Sequence, residues 1–304
     1  MSALRLILGG SGFLGRELRR QFDLAQTIAT HHSSVQAGCA AFNALQDDLD
    51  PMLANMSPGA AVYFLFGITE IDGCLRDKTG AQTLNVDITI ELMKRVSDAG
   101  MMPVYVSSDS VFDGEKGAYV EEDTANPIHR YGRQKLEVEN YLETSRMPFL
   151  VVRLPKVVSA IPEPGTLLGQ WVTALIHGEH VRCAHDQFFS PIVVTDVAQT
   201  LAALVEEGHT GVYHLAGPER WSRAELYDLL IAELQVSSLV DPKMTRCGIR
   251  EFEGLLERRP LDCSLNCDKL RNTLSSGLRL AGMKAVCREI AGNVAAKGIF
   301  AHSK

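Results

Sequence analysis

A glycine-rich turn between an apolar run and a helical pattern constrains this chain more than any other feature. Gly9-Gly10-Ser11-Gly12-Phe13-Leu14-Gly15 has the spacing G-x-x-G-x-x-G and follows the apolar residues at 4–8. Beyond it, Phe13, Leu14, Leu18 and Phe22 recur at helical spacing. Glycine at 9 permits a tight turn, and glycine at 12 lets backbone N–H groups approach a pyrophosphate. Glycine at 15 lets the helix pack closely on the strand. The helix N-terminus offers unpaired N–H groups and the positive end of its dipole to an anion. An ordinary strand–helix turn with surplus glycine would explain these residues in isolation. At the head of an alternating strand–helix series, they imply dinucleotide binding by Gly9, Gly12, Phe13, Leu14 and Gly15.

The series continues along the first half. Strands are expected at 26–30, 61–66, 104–106 and 148–153, and helices at 46–56, 79–99 and 129–145. The loop at 109–128 is rich in Asp, Gly, Glu and Pro. Such alternation predicts βαβ units and a doubly wound parallel sheet. After Leu154 the rhythm breaks at Pro155, Pro162, Pro164 and Gly165. Helices are expected at 167–177, 195–207, 222–234 and 281–295, with a strand at 211–215. This predicts a dinucleotide-binding domain over 1–154 and a smaller, mostly helical substrate region over 155–304. Part of the latter, about 186–216, is expected to return to the first domain.

Charge and cysteine usage narrow the partners. The net charge of -7 argues against nucleic acid as the main partner. No secretory pattern is visible, and the longest apolar run, at 60–68, is too short for a bilayer. The seven cysteines are irregularly spaced, without a C-x-x-C pair. A reducing cytoplasm is therefore expected, with no disulfide framework. Cys263 and Cys267 stand four apart without a second ligand pair nearby, so no metal is expected.

The end of the second strand bears on the cofactor. NAD sites often place an acid there for the ribose 2′-OH. Here it reads Thr30-His31-His32-Ser33-Ser34, without an acid. A 2′-phosphate is thus permitted, with Arg16, His31 and His32 beside it. NADP(H) is favoured, and NAD(H) is not excluded. Taken alone, both histidines are also ordinary polar loop residues.

Two further features carry chemistry. Tyr131 and Lys135 lie one helical turn apart, on one face. An ammonium near a phenol favours the phenolate, so Lys135 is expected to lower the Tyr131 pKa. The pair can then exchange a proton with a carbonyl or hydroxyl oxygen during hydride transfer. Ser107-Ser108-Asp109 follows the strand at 104–106, and ligands of such sheets bind at the carboxyl ends of strands. A surface lysine and a turn serine would be the plain readings of each feature alone.

Together the glycine turn, this serine and Y-x-x-x-K resemble the extended short-chain dehydrogenase/reductases. More narrowly, residues 107–114 (S-S-D-S-V-F-D-G) resemble the S-T-D-Y-V-F-D-G signature of dTDP-4-dehydrorhamnose reductases. Tyr119-Val120-Glu121-Glu122-Asp123, Asn126-Pro127 and Tyr131-Gly132 resemble the same family, as does Asn85-Val86-Asp87. Later, Asp186-Gln187-Phe188-Phe189-Ser190-Pro191 resembles its D-Q-x-G-x-P-T segment, Gly211-Val212-Tyr213-His214 its G-x-Y-H strand, and Arg259-Pro260 its R-P run.

The resemblance covers nearly the whole chain and implies a Rossmann-type domain with a C-terminal sugar-nucleotide region. It implies a cytoplasmic NAD(P)-dependent oxidoreductase that reduces a keto group on a nucleotide-linked deoxysugar or related carbonyl. Tyr131 is the implied acid/base, with Lys135 and Ser108 beside it. Phe66, Gly67, Asn85, Ser107, Tyr131 and Lys135 join the implied cofactor site. Asp109, Ser110, Val111, Phe112, Arg153, Gln187, Phe188 and Arg259 are the implied substrate contacts. Arg259 also reads as a cap or a surface ion pair. A small-molecule substrate is implied, with no membrane or nucleic acid, and a homodimer is compatible.

The chain departs from the family at Ser110, Phe189 and Ile192, at Phe66-Gly67-Ile68-Thr69, and at Lys156-Val157-Val158-Ser159. These positions lie where nicotinamide or sugar would sit. Two alternatives stand. One is an epimerase or dehydratase on the same fold. The other is a non-catalytic dinucleotide-binding subunit like the regulatory β-subunit of methionine adenosyltransferase.

Overall fold

The short apolar runs become strands of one sheet because alternate residues find partners on both of its faces. The computed structural model describes residues 3–163, 165–234, 243–275, 277 and 279–296. Its first half holds β1 (Ala3–Leu8), α1 (Phe13–Arg19), β2 (Thr27–His31), β3 (Ala40–Ala41), α2 (Asp50–Leu53) and β4 (Met56–Phe64). Then come α3 (Ile71–Arg76), α4 (Lys78–Gln82), α5 (Thr89–Asp98), β5 (Met102–Ser108), α6 (Arg130–Thr144) and β6 (Leu150–Leu154). The second half holds β7 (Val157–Val158), α7 (Leu167–Ile176), β8 (Val181–Ala184), β9 (Phe188–Phe189), β10 (Ile192–Val193) and α8 (Val194–Glu206). It ends with β11 (Gly211–His214), β12 (Trp221–Ser222), α9 (Arg223–Leu234), β13 (Met244–Cys247), α10 (Asp268–Thr273) and α11 (Met283–Ala296).

Seven parallel strands pair in the order β11-β6-β5-β4-β1-β2-β3, the doubly wound sheet expected from the sequence. Ile7, Tyr63, Val104 and Val152 pack on one face with Leu18 of α1 and Leu201 of α8. Their neighbours Leu6, Val62, Tyr105 and Val151 pack on the other, with Leu92 and Val96 of α5 and Val138 and Leu142 of α6. Burial on both faces favours parallel pairing. Each aliphatic side chain so buried contributes roughly 1.5–3 kcal/mol before chain entropy is counted. The strand order reverses between β1 and β4, so the loops after these two strands diverge and leave a crevice.

A second core lies in the C-terminal half. Leu168 and Trp171 of α7, Tyr227 and Leu230 of α9, and Cys287 and Ile290 of α11 are buried together. Trp171 meets Tyr227 edge-on, with ring centroids 5.4 Å apart. Two helices and the short strands of the C-terminal half differ from expectation. The helix expected at 46–56 is confined to α2, because the Asp47 and Asp48 carboxylates accept from the backbone N–H of Asn43 and Asp50 in turns. The helix expected at 79–99 contains a π-helical turn, Thr83–Ile88, that offsets α5 from α4. The C-terminal half also carries strands that periodicity did not reveal: β8 pairs with β13 and β9 with β12. Two-to-four-residue strands are too short to set up a period of their own. Among the described residues, no helix is long and apolar enough to cross a membrane.

Candidate active site

The turn after β1 has the backbone its glycines allow. Gly9 adopts φ +91° and its N–H donates to Thr30 Oγ1 at 3.0 Å, which ties the turn to the end of β2. Gly12 is the N-cap of α1 and offers no side-chain cap, and no acid stands in the first helical turn. A Cβ on Gly15 would overlap the Gly9 carbonyl oxygen and come within 2.8 Å of Gly10 Cα. The helix is therefore held against the turn at a distance only glycine tolerates.

Across the crevice lies a cavity of about 850 Å³, lined on this side by Phe13, Leu14, Phe66, Gly67 and Ser107. Ser107 Oγ is buried and has no hydrogen-bond partner among the described residues. Uncapped helix N–H groups, a glycine-rich turn and an orphaned hydroxyl fit a dinucleotide. Asn85 lies one layer behind. Its Nδ2 donates to the Ile68 carbonyl at 2.9 Å and to Gln134 Oε1 at 2.9 Å, and its Oδ1 accepts from Ile68 N–H at 2.8 Å. It therefore shapes the loop after β4 and does not line the cavity. The π-turn is what carries Asn85 inward.

Arg16, His31 and His32 do not line the cavity either. Arg16 pairs with Glu163 at 2.6 Å, and Glu163 does line it. His32 is exposed beyond β2, in a loop without acids.

Ser108, Tyr131 and Lys135 are brought together by one strand end and one helix. Ser108 ends β5, and α6 packs over it. The close approach needs Gly132, whose added Cβ would overlap the Ser110 carbonyl oxygen and sit 2.8 Å from Pro127 Cβ. His129 caps α6 by accepting from Gly132 N–H at 3.1 Å. Burial lowers the His129 pKa to about 4, helped by Arg259, so the ring is neutral at pH 7 and can accept.

Ser108, Asp109, Ser110, Tyr131 and Lys135 all line the cavity. Ser108 Oγ donates to Asp109 Oδ1 at 3.0 Å, and Ser110 Oγ does so at 3.3 Å. Burial still pushes the Asp109 carboxyl up to about 6. Lys135 Nζ donates to the Val106 carbonyl at 2.9 Å and sits 4.5 Å from the Tyr105 ring and 5.8 Å from the Tyr131 ring. Burial lowers its pKa to about 8.

The expected depression of the Tyr131 pKa is not present in this structure. Burial raises it, the Asp109 charge adds to the rise, and only the Ser108 hydroxyl opposes them. Burial and the Asp109 charge therefore keep the phenol protonated.

Three of the implied substrate contacts are corrected. Val111 and Phe112 are fully buried in a small core with Tyr119 and Leu265, away from the cavity. Arg153 is also buried, paired with Glu139 at 2.7 Å and 5.2 Å from the Phe112 ring. Its Nη1 lies 3.3 Å from His214 Nε2, while His214 Nδ1 lies 3.0 Å from the Tyr119 carbonyl. Burial, then the Arg153 charge, lowers the His214 pKa to about 3, so a neutral ring accepts from Arg153 and donates to Tyr119. Tyr131, Lys135 and Glu139 share one face of α6 at four-residue spacing. Arg153 therefore anchors α6 to β6.

Gln187, Phe188 and Arg259 do reach the cavity. Arg259 also pairs with Asp72 at 2.8 Å, so it is both a wall residue and a structural ion pair. The sequence marked Lys156, just past the end of β6, only as a departure from the family, and gave no sign of two further cavity cations, Arg182 and Arg223. Arg223 opens α9, far along the chain, and nothing in its local sequence marks it.

The family model described as RmlD substrate binding domain matches residues 4–282. Methionine adenosyltransferase 2 subunit beta of Bos taurus is 26% identical over 290 residues, covering 90% of this chain and 83% of that protein. The probable low-salt glycan biosynthesis reductase Agl14 of Haloferax volcanii is 34% identical over 152 residues, covering 49% of this chain and 51% of that one. Among solved structures, a hypothetical dTDP-4-dehydrorhamnose reductase from Sulfolobus tokodaii superposes with a TM-score of 0.78 at 27% identity. That match covers 92% of this chain and 97% of the other.

Proposed function

This chain belongs to the RmlD substrate binding domain family, within the extended short-chain dehydrogenase/reductases, and from that premise we propose that it reduces a keto group on a nucleotide-linked sugar, using NAD(P)H. The observation that carries the reading is the convergence of Ser108, Tyr131 and Lys135 on one cavity wall, continuous with the glycine turn. A reduced nicotinamide, when bound, supplies the hydride. The glycine turn and the N-terminus of α1 hold the pyrophosphate, and Ser107 offers its free hydroxyl. The acid-free loop after β2 favours a 2′-phosphate, hence NADP(H).

Ser108 orients the carbonyl oxygen and Tyr131, protonated at neutral pH, gives it a proton. Lys135 holds its place against Val106 and offers its charge to the phenolate left behind. The test is NADPH oxidation by the purified protein with a panel of 4-keto nucleotide sugars. Tyr131→Phe is expected to lower kcat about 100-fold or more, with NADPH affinity kept.

A second reading rests on the likeness to methionine adenosyltransferase 2 subunit beta along 90% of the chain. On it, the protein binds a dinucleotide and docks on a methionine adenosyltransferase catalytic subunit. Co-elution with that subunit, without NADPH turnover on the panel, would favour this reading over the first.

A further inference from the structure

The cavity beyond the catalytic trio carries more positive charge than its own carboxylates neutralise. Five cationic side chains line it: Lys135, Lys156, Arg182, Arg223 and Arg259. Its acids are Asp109 and Glu163. Glu163 is taken by Arg16 at 2.6 Å, and Arg259 by Asp72 at 2.8 Å. Arg182 donates to the Glu251 carbonyl at 2.8 Å. Lys135 belongs to the catalytic trio. Arg182, Lys156 and Arg223 have no carboxylate within salt-bridge distance among the described residues, and of these Lys156 and Arg223 are the two that feel the Asp109 charge beside Ser108.

Arg223 is held in place. Arg223 Nε donates to Gln187 Oε1 at 2.7 Å, and its guanidinium sits 5.7 Å from the Phe189 ring. Lys156 is surrounded by protein, but its side chain keeps accessible surface because it faces the cavity. Burial depresses both pKa values, and the Arg223 charge adds to the depression at Lys156. Asp109 is the carboxyl that attracts both, and two serine hydroxyls already occupy it. Two repelling cations in a partly desolvated wall are costly until an anion lies between them.

Their position selects which anion. Ser108 and Leu154 are register partners on β5 and β6, and Lys156 lies two residues beyond Leu154. Strand spacing and rise put the Lys156 Cα about 8 Å from that of Ser108. The lysine side chain therefore reaches the reacting end of a sugar held by Ser108 and Tyr131. A diphosphate on the sugar's opposite carbon would lie across the ring from this point. A planar carboxylate also matches the guanidinium fork of Arg223.

We infer that the substrate bears a carboxylate on the sugar, next to the reacting carbon, held by Lys156 and Arg223. This rests on the keto-sugar reading above and names the substrate class within it. The site then selects acidic sugars over neutral ones, while the reaction itself is unchanged.

The experiment measures equilibrium binding to the NADP+-loaded full chain, so it does not depend on turnover. The probes are UDP-glucuronate and UDP-glucose, which differ only in a carboxylate or a hydroxymethyl group at C6, with UDP as a third ligand. The acidic sugar is expected to bind at least about ten-fold tighter. The preference should fall to within about two-fold in Lys156→Met and in Arg223→Gln, and persist in Lys156→Arg. Retained NADP+ affinity shows that each variant is folded. Equal binding of both sugars, or binding of neither, overturns the inference. So does an equal loss for both sugars and UDP in the variants, which would assign the cations to the diphosphate. If the acidic preference holds but no keto sugar consumes NADPH, the reductase reading fails while the carboxylate site stands.

Discussion

Two helical glycines give opposite answers to one substitution, and the structure supplies both signs. Gly15 lies in α1 and Gly292 in α11. Alanine is favoured over glycine in a helix by up to about 1 kcal/mol, so propensity alone predicts stabilisation at both sites. At Gly292 nothing lies within 4 Å of the added Cβ, and the full gain of about 1 kcal/mol is expected. At Gly15 the Cβ would overlap the Gly9 carbonyl oxygen and meet Gly10 Cα and C at 2.8 and 2.9 Å. All three are backbone atoms, so no side chain can swing aside. Overpacking of this kind costs about 1–3 kcal/mol and outweighs the propensity gain.

Gly15→Ala is therefore expected to lose about 1–2 kcal/mol, and Gly292→Ala to gain about 1 kcal/mol. Urea unfolding followed by circular dichroism gives both numbers from the midpoint and slope. Because relief at Gly15 must push α1 away from the turn, NADPH affinity measured by nicotinamide fluorescence should fall about ten-fold in Gly15→Ala and stay unchanged in Gly292→Ala. A Gly15→Ala protein as stable as Gly292→Ala, with NADPH affinity kept, would refute the close approach on which the cofactor site depends.

Other consequences can be checked in the same way. Arg153→Met strands the Glu139 carboxylate, 1% exposed, and should cost about 3–5 kcal/mol; the double variant Arg153→Met, Glu139→Leu should recover most of it in the same urea assay. Burial raises the Asp109 pKa from 3.8 to about 6, so the native state holds this proton more tightly than the unfolded chain. The stability that proton brings is complete below pH 4 and is lost as pH rises through 6, and Asp109→Asn should gain up to about 3 kcal/mol at pH 8 and nothing near pH 4, read from denaturation midpoints across pH. Asn85→Ala frees the N–H and carbonyl of Ile68 together and should cost about 2–4 kcal/mol, with faster amide exchange across the loop after β4.

Local pattern was enough for the sheet and for the residues that act through backbone shape. Short apolar runs marked β1, β4, β5 and β6, and the glycine spacing marked the turn, because both depend on residues next to one another in the chain. Ser108, Tyr131 and Lys135 were legible for the same reason: each stands at a strand end or on one helical face. Folding decided what those positions do. Burial and the Asp109 charge hold the Tyr131 proton more firmly than the four-residue spacing alone implied, and the Lys135 ammonium donates to the Val106 carbonyl. Arg153 turned from the cavity to Glu139 and His214, partners 14 and 61 residues away. Lys156 and Arg223 meet in the cavity wall although 67 positions separate them in the sequence. Spacing along a chain fixes which face a side chain takes, whereas its charge partner and its solvation depend on elements that only packing brings near.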